Sequence, residues 1–358
     1  MARVVERSEA SIKDVARRAR VSIASVSRVM NGQPTVREET RNRVLAAVQL
    51  LNYVPHVGAR SLITQRTGVV GVLLPDLHGE FFSELIRGLD GLARDRKRQL
   101  LLSSVHGEAE EVAVALRALR GKVDGLVVMS PHVDAALLER NLPQALPTVL
   151  LNSPVQGAGH STVVIDSYRG ARAMVRHLAG LGHRRIAHVA GPAGNFDAEQ
   201  RLRGYRDELR RSLPDVRPQI LPGDFTQRSG YEAGHRLAQP GERPDAVFAA
   251  NDVIAIGCLM AFKELGLQVP GDVAVAGFDD IPLAQLVTPA LTTMRVHIAE
   301  LGRSALEHLL LRIEDPKGTA PIARRLMPEV VVRDSCSGAW GPKVSVSKRR
   351  QRRPLQSR

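Results

Sequence analysis

Residues 11–30 read SIKDVARRARVSIASVSRVM, two helix-length segments separated by a tight turn. Ser11-Ile-Lys-Asp14 has the pattern of a capping box, so a first helix is expected to open there and run to about Ala19. Arg20-Val21-Ser22 supplies a turn, and Ser22 is a good N-cap for a second helix reaching about Met30. Asn31-Gly32-Gln33-Pro34 breaks it. A third helix is predicted from about Arg37 to Leu51, with Val44, Leu45, Val48 and Leu51 at helical spacing, ended by Tyr53-Val54-Pro55. Residues 56–62 have helical potential, interrupted by Gly58.

Two short helices joined by a tight turn are the helix-turn-helix layout. Val15, Ala16, Ala19, Val21, Val26 and Val29 are expected to pack the pair together. Ile23, Ala24, Ser27 and Arg28 are then left on the outer face of the second helix. Arginine suits guanine in the major groove, and small apolar side chains suit a thymine methyl. The hydroxyls of Ser22, Ser25 and Ser27 and the helix N-terminus suit phosphate oxygens. The same helices would also fit a small bundle without a DNA partner.

Working outward, charge separates the ends from the middle. The 358 residues carry a formal charge of +13. Residues 1–60 hold 11 Lys/Arg against 5 Asp/Glu, and residues 335–358 hold 7 against none, which leaves 61–334 neutral at 32 of each. Basic ends on a neutral body suggest a polyanion for the ends and another partner for the middle. The tail would serve equally as a solubilising disordered end. With 3% aromatics, a surface that stacks exposed bases is disfavoured. No run approaches a membrane span, and MARVVERSEA lacks the apolar core of a secretory signal. Only Cys258 and Cys336 are present, one read as a small buried residue and the other as a tail thiol, with no disulfide framework. A cytoplasmic location follows as the expectation.

From Gly68 the pattern alternates strand and helix. Strands are predicted at GVVGVLL (68–74), LLLSS (100–104), DGLVVM (124–129), TVLLN (148–152), RIAHVA (185–190), AVFAA (246–250), VAVAGF (273–278) and near 326–333. Helices are predicted at about 81–97, 109–119, 168–181, 197–211, 227–238, 252–265 and 297–313. Two successive series of similar size imply an α/β body of two doubly wound parallel sheets, with a ligand crevice at the strands' carboxyl ends.

The residues also carry a resemblance. IKDVARRARVSIASVSRVMNGQPTVREETRNRVLAAVQLLNYVP (12–55), ARSL (59–62), GVLLPD (71–76), LGHRRIAHVAGP (181–192), NDVIAIG (251–257), VAVAGFDD (273–280) and LTT (291–293) resemble the LacI/GalR family of bacterial transcriptional regulators over about residues 11–333. The resemblance implies a DNA-binding domain at 10–55, a hinge helix and linker at 56–66, and an effector-binding and dimerisation domain at 67–334. The last resembles a type I periplasmic binding protein, with subdomains at about 67–166 with 295–325 and 167–294 with 326–334; a basic disordered tail fills 335–358. It implies a homodimer on a pseudo-palindromic duplex operator, switched by a sugar-like effector. Repression is the family's usual sign, and no cofactor or metal is implied.

Residue by residue, Ile23, Ala24 and Arg28 match the base-reading positions, joined by Ser11, Ser22, Ser25, Ser27, Asn31, Tyr53 and Ala59 as DNA contacts. Leu62 matches the leucine wedged into the minor groove. Arg201, Asn251 and Asp279 match hydroxyl binders and Phe225 a ring platform, with Asp76 and Phe81 lining the same cleft. Asp279 would also suit a structural aspartate, and Arg201 a surface arginine. The sequence departs from the family at Arg20 and Gly58, at Gly79-Glu80 in place of Asn-Pro, and at Asn152-Ser153 in place of Asp-Arg.

Two other classes fit less well. An enzyme would need a nucleophile elbow, phosphate loop or zinc helix; Gly191-Pro-Ala-Gly194 lacks the lysine of a phosphate loop, and His183 and His188 read as structural. A solute-binding protein without a regulatory role would suit the body alone but leaves the basic head unexplained.

Overall fold

The computed structural model describes residues 10–30, 35–53, 66–105, 109–143, 145–153, 155, 159–241 and 243–336. The chain divides after Thr67 into two units.

Among its described residues the first unit holds three helices: α1 (Ile12–Ala19), α2 (Ile23–Met30) and α3 (Glu38–Leu50). The capping box forms as expected: Asp14 N donates to Ser11 Oγ, and Ser11 N donates to Asp14 Oδ2 at 3.0 Å. Ser22 Oγ accepts from Ser25 N at 3.1 Å, starting α2. Arg20, the departure in the turn, takes the left-handed conformation (φ 52°, ψ 50°) that glycine adopts without strain. Arg43 of α3 holds this turn by donating to the carbonyls of Ala19 and Arg20. Val15, Ala16, Ala19, Val26, Val29, Val44, Ala47 and Tyr53 form the core. Leu45, expected in it, is 43% exposed, because the buried stripe of α3 runs through 44, 47, 48 and 51 and position 45 lies a step off it.

The second unit has two lobes. In the first, six parallel strands lie in the order β11-β5-β4-β3-β1-β2. These are β1 (Val69–Leu74), β2 (Gln99–Ser104), β3 (Gly125–Met129), β4 (Thr148–Leu151), β5 (Ser161–Ile165) and β11 (Ala323–Leu326). Its helices are α4 (Glu80–Asp95), α5 (Ala109–Leu119), α6 (Ala135–Asn141) and α11 (Ile298–Glu314). A Cβ on Gly88 would meet the Ala299 carbonyl at 2.0 Å, so glycine there lets α4 lie directly on the start of α11.

The second lobe has four parallel strands in the order β7-β6-β8-β9: β6 (Ile186–Val189), β7 (Gln219–Leu221), β8 (Ala246–Ala249) and β9 (Ala274–Ala276). Around them lie α7 (Ser167–Gly180), α8 (Phe196–Ser212), α9 (Gln227–Leu237), α10 (Asp252–Glu264) and a 3-10 turn at Pro282–Gln285. A small antiparallel pair joins β10 (Thr293–Arg295) to β12 (Glu329–Val331). The sheets are therefore unequal, six strands against four, where the sequence suggested similar halves. Strands β5, β7, β10 and β11 and helix α6 were not anticipated. The tail begins later than expected: Ser335 and Cys336 are buried, and Ser335 Oγ donates to Val275 O at 2.6 Å. Cys336 is thus a buried thiol rather than a tail thiol.

Candidate functional site

On the head, α2 turns Val26 and Val29 into the core and leaves Ile23, Ala24 and Arg28 exposed, with Ser25 and Ser27 half-buried. Ser11 and Ser22 are exposed and engaged as helix caps, whereas Tyr53 is a core residue at 7% exposure. Asn31, Ala59 and Leu62, with Gly58 and the hinge segment, lie outside the described residues.

In the body, all six residues matched to the cleft line one cavity of about 390 Å³ between the lobes. Asp76 reaches it from the β1–α4 connection, Phe81 from the first turn of α4, Arg201 from α8, and Phe225 from the segment before α9. Asn251 and Asp279 come from the ends of β8 and β9. Parallel strands deliver their carboxyl ends to one side, so loops far apart in sequence converge there.

Arg201 is the centre of the arrangement. Its Nη1 donates to Ala250 O at 2.5 Å, Nη2 to Asp279 Oδ1 at 3.1 Å and Nε to Ser167 Oγ at 3.5 Å. The guanidinium lies 3.9 Å from the Phe278 ring centroid and 5.8 Å from that of Phe225. Guanidinium has five N–H donors, so two remain for a ligand. Burial pushes the Asp279 carboxyl up to about 7; Arg201 opposes this and nearby Asp197 adds to it.

Asn251 is more committed than the sequence suggested. Its Oδ1 caps α10 by accepting from Ile254 N at 2.9 Å, and its Nδ2 donates to Phe225 O at 3.2 Å. It therefore holds Phe225 in place and retains one N–H. Phe225 has φ 68° and its ring covers Gly191, where a Cβ would lie 2.5 Å from it. Asp76 folds its own loop, accepting from Leu77 N at 2.6 Å and His78 N at 2.9 Å. Burial alone would raise the Asp76 carboxyl, but these bonds and His78 outweigh it and hold it below the usual range.

The wall includes residues that the sequence reading missed: Glu80, His132, Asn195, Asp197 and Asp224. Asn195 caps α8 by accepting from Ala198 N at 3.0 Å, a role readable from an asparagine before a helical run. Asp197 accepts from Ser167 Oγ at 2.9 Å, and burial raises its carboxyl. Asp252 is fully buried, takes Ile281 N at 2.9 Å and Thr293 Oγ1 at 2.5 Å, and so fastens the segment after β9. Among the described residues, no group of three His, Cys, Asp or Glu is placed to hold a metal. No helix among them is long and apolar enough to cross a membrane.

This geometry has known counterparts. The profile of the lacI family of bacterial regulatory proteins matches residues 11–56, and a periplasmic binding protein-like domain matches 175–336. The chain is 36% identical to the ribose operon repressor of Escherichia coli (strain K12) over 313 residues, 86% of this chain and 94% of the relative. It is 35% identical to catabolite control protein A of Priestia megaterium over 302 residues, 84% and 91% of the two chains. It superimposes on the lac repressor dimer bound to operator and the anti-inducer ONPF with a TM-score of 0.82 at 28% identity, covering 92% of this chain and 99% of that one. The chain belongs to the lacI family of bacterial regulatory proteins, DNA-binding regulators of transcription.

Proposed function

We propose that this protein is a homodimeric, non-catalytic repressor of the bacterial nucleoid whose operator affinity is set by an uncharged polyhydroxylated effector in the 390 Å³ cavity. The observation that carries it is the cavity's chemistry, polar donors and acceptors beside half-buried aromatic rings. Arg201, Asp279 and Asn251 present unspent hydrogen-bonding capacity, and Phe225 and Phe81 offer apolar faces, which is how a sugar ring is held. Among the described residues, five carboxyl residues line the cavity (Asp76, Glu80, Asp197, Asp224 and Asp279) against the guanidinium of Arg201. Arg201 is itself paired with Asp279, and against burial hydrogen bonds hold the Asp76 and Asp224 carboxyls below the usual range, so a phosphate or carboxylate on the ligand would meet like charge.

In this reading Ile23, Ala24 and Arg28 read bases, the serines position the backbone, and Leu62 wedges the minor groove. The working division is reader at 10–55, hinge at 56–66, sensor from 67 to about 336 and basic tail beyond. A second copy is favoured by β2, an edge strand with Leu101 and Leu102 39% and 38% exposed. Effector binding across the lobes shifts operator affinity by its differential affinity for the two closure states.

The test is titration calorimetry of the full-length protein with paired probes: D-ribose and ribose 5-phosphate, D-galactose and galactonate, cellobiose and cellobionate. Operator affinity is then measured with and without each binder at fixed salt. Binding by neutral members, with a change in operator affinity, is the expected result. Preference for the phosphorylated or acid forms overturns the charge reading, and binding without any effect on DNA overturns the switch. For the head, Arg28→Ala is expected to relax discrimination at one base step and Ser25→Ala to weaken all sites alike; equal losses overturn the base-reading role.

A further inference from the structure

Among the described residues, hydrogen bonds join the lobes at separate points on the cavity's rim. Phe196 N donates to Pro131 O at 3.0 Å, and the Asn195 side-chain amide lies 3.3 Å from His132 Nε2, so one lip joins the β3–α6 connection to the start of α8. At a second point, 203 residues apart in sequence, Leu283 N of the 3-10 turn donates to Glu80 Oε2 at 3.1 Å. Glu80 is the first residue of α4, and it stands where the family pattern has proline, a residue without a side-chain acceptor. Beyond this bond lies a second cavity of about 680 Å³, lined by Glu84 and Arg87 on one side and Ile281, Pro282 and Gln285 on the other. Glu80 therefore joins the lobes between the two cavities.

We propose that Glu80 is a positioning strut that couples closure of the two lobes: its carboxylate, fixed on α4, holds the 3-10 turn of the other lobe and thereby keeps the distant Pro131–Phe196 lip together. The anchoring is rigid at both ends. Gly88 and Gly302 seat α4 tightly against α11, and Ile281, just before the turn, is tied by its N–H to the buried Asp252. A hydrogen bond between two such bodies restrains their relative rotation rather than a local loop. If the cavity is the effector site, linkage then sets a sign. Removing a bond made only in the joined state shifts operator affinity opposite to an effector that favours that state.

The test needs no effector, so it stands or falls apart from the functional reading. Amide hydrogen exchange is followed in the full-length protein and in Glu80→Ala, Glu80→Asp and Glu80→Gln. Leu283 loses its acceptor in the alanine variant whatever Glu80 does, so Phe196 is the informative amide: its own acceptor, Pro131 O, is untouched. The strut predicts about tenfold faster exchange at Phe196 in Glu80→Ala, and the same in Glu80→Asp, which keeps the charge at the start of α4 but loses reach. Glu80→Gln keeps an acceptor of the right length and is expected to stay within about twofold of the parent. Amides of β6, such as Val189, are expected to stay unchanged. Unchanged Phe196 exchange in the alanine variant, acceleration of Phe196 and Val189 together, or a glutamine variant that behaves like alanine would each overturn the proposal.

Discussion

The guanidinium of Arg201 and the carboxylate of Asp279 lie 3.1 Å apart with side chains only 3% and 6% exposed, a buried ion pair at the centre of the cavity. Removing one partner of such a pair leaves an uncompensated charge and costs about 3–5 kcal/mol, whereas replacing both by apolar groups costs far less. The two single losses are not symmetric. With its carboxyl raised toward about 7, Asp279 can take up a proton, whereas arginine stays charged. A carboxyl whose folded pKa exceeds its unfolded value binds more protons in the native state, so its destabilising effect fades as pH falls. Arg201→Met is therefore expected to regain stability between pH 7 and pH 5 relative to the parent. Asp279→Leu is expected to show a deficit that does not shrink, and Arg201→Met/Asp279→Leu to be milder than either. Urea titrations at the two pH values check this.

Gly191 separates the ring platform from the fold around it. A Cβ there would lie 2.5 Å from the Phe225 ring and 2.9 Å from the Ala198 Cβ, closer than real atoms approach. Phe225 is half-buried and can swing toward the cavity, while Ala198 on α8 cannot. Gly191→Ala is expected to cost about 1–3 kcal/mol of stability and to weaken binding of any neutral sugar bound by the parent by at least tenfold. The readouts are the denaturation midpoint and the calorimetric affinity. Full affinity in a folded Gly191→Ala protein would show that Phe225 is not the platform.

The strands that were legible are those buried on both faces. GVVGVLL, AVFAA and VAVAGF read as apolar runs because helices cover both sides of their sheets. β11, Ala-Arg-Arg-Leu, was invisible because it is an exposed edge strand whose arginines face water or pair, Arg324 with Glu300 and Arg325 with Asp166. β7 and β10 are three residues each, too short for a period to show. In the cavity, periodicity places no pair such as Asp76 and Asp279 together; the resemblance selects Arg201, Phe225, Asn251 and Asp279, and the place of Asp76 and Phe81 after the first strand adds those two. Nor could sequence alone show that Asn251 has most of its capacity taken by Ile254 and Phe225, or that Glu80 reaches Leu283.

His188 makes the core acid-sensitive. It is fully buried on β6, stacked on the Tyr205 ring and tilted against the Phe248 ring with centroids 5.0 Å away in each case, and its Nδ1 lies 2.8 Å from Phe248 O. Burial lowers it to about 4, helped by Arg201 and Arg206 and opposed by the Phe248 bond. Its folded value is depressed below the ordinary 6.5, so the stability it contributes is complete above that value and lost as pH falls toward 4. The shift corresponds to about 3 kcal/mol across that window. His188→Gln, which has no proton to gain, is expected to show a flatter dependence of unfolding free energy between pH 6.5 and pH 4.5 than the parent. Parallel curves for the two proteins would remove His188 from the acid response.

Arg20 carries the one departure in the reader's turn, and its geometry predicts a gain. At φ 52° and ψ 50° a residue with a Cβ is strained by roughly 1 kcal/mol, and glycine is not. The bonds that shape the turn do not use the Arg20 side chain: Val21 N donates to Ala16 O at 3.0 Å, and Arg43 Nη2 donates to the Arg20 carbonyl at 2.9 Å. Both survive substitution by glycine. Glycine's greater freedom in the unfolded chain takes back part of the gain, so Arg20→Gly is expected to stabilise residues 1–67 by a few tenths of a kcal/mol. Arg43→Ala removes the donor that ties α3 to the turn and is expected to destabilise the same unit by about 1–2 kcal/mol, since a charged donor is lost. Thermal melts of the head followed by circular dichroism distinguish the two. A lower midpoint for Arg20→Gly would mean that the arginine side chain makes a stabilising contact that outweighs its backbone strain.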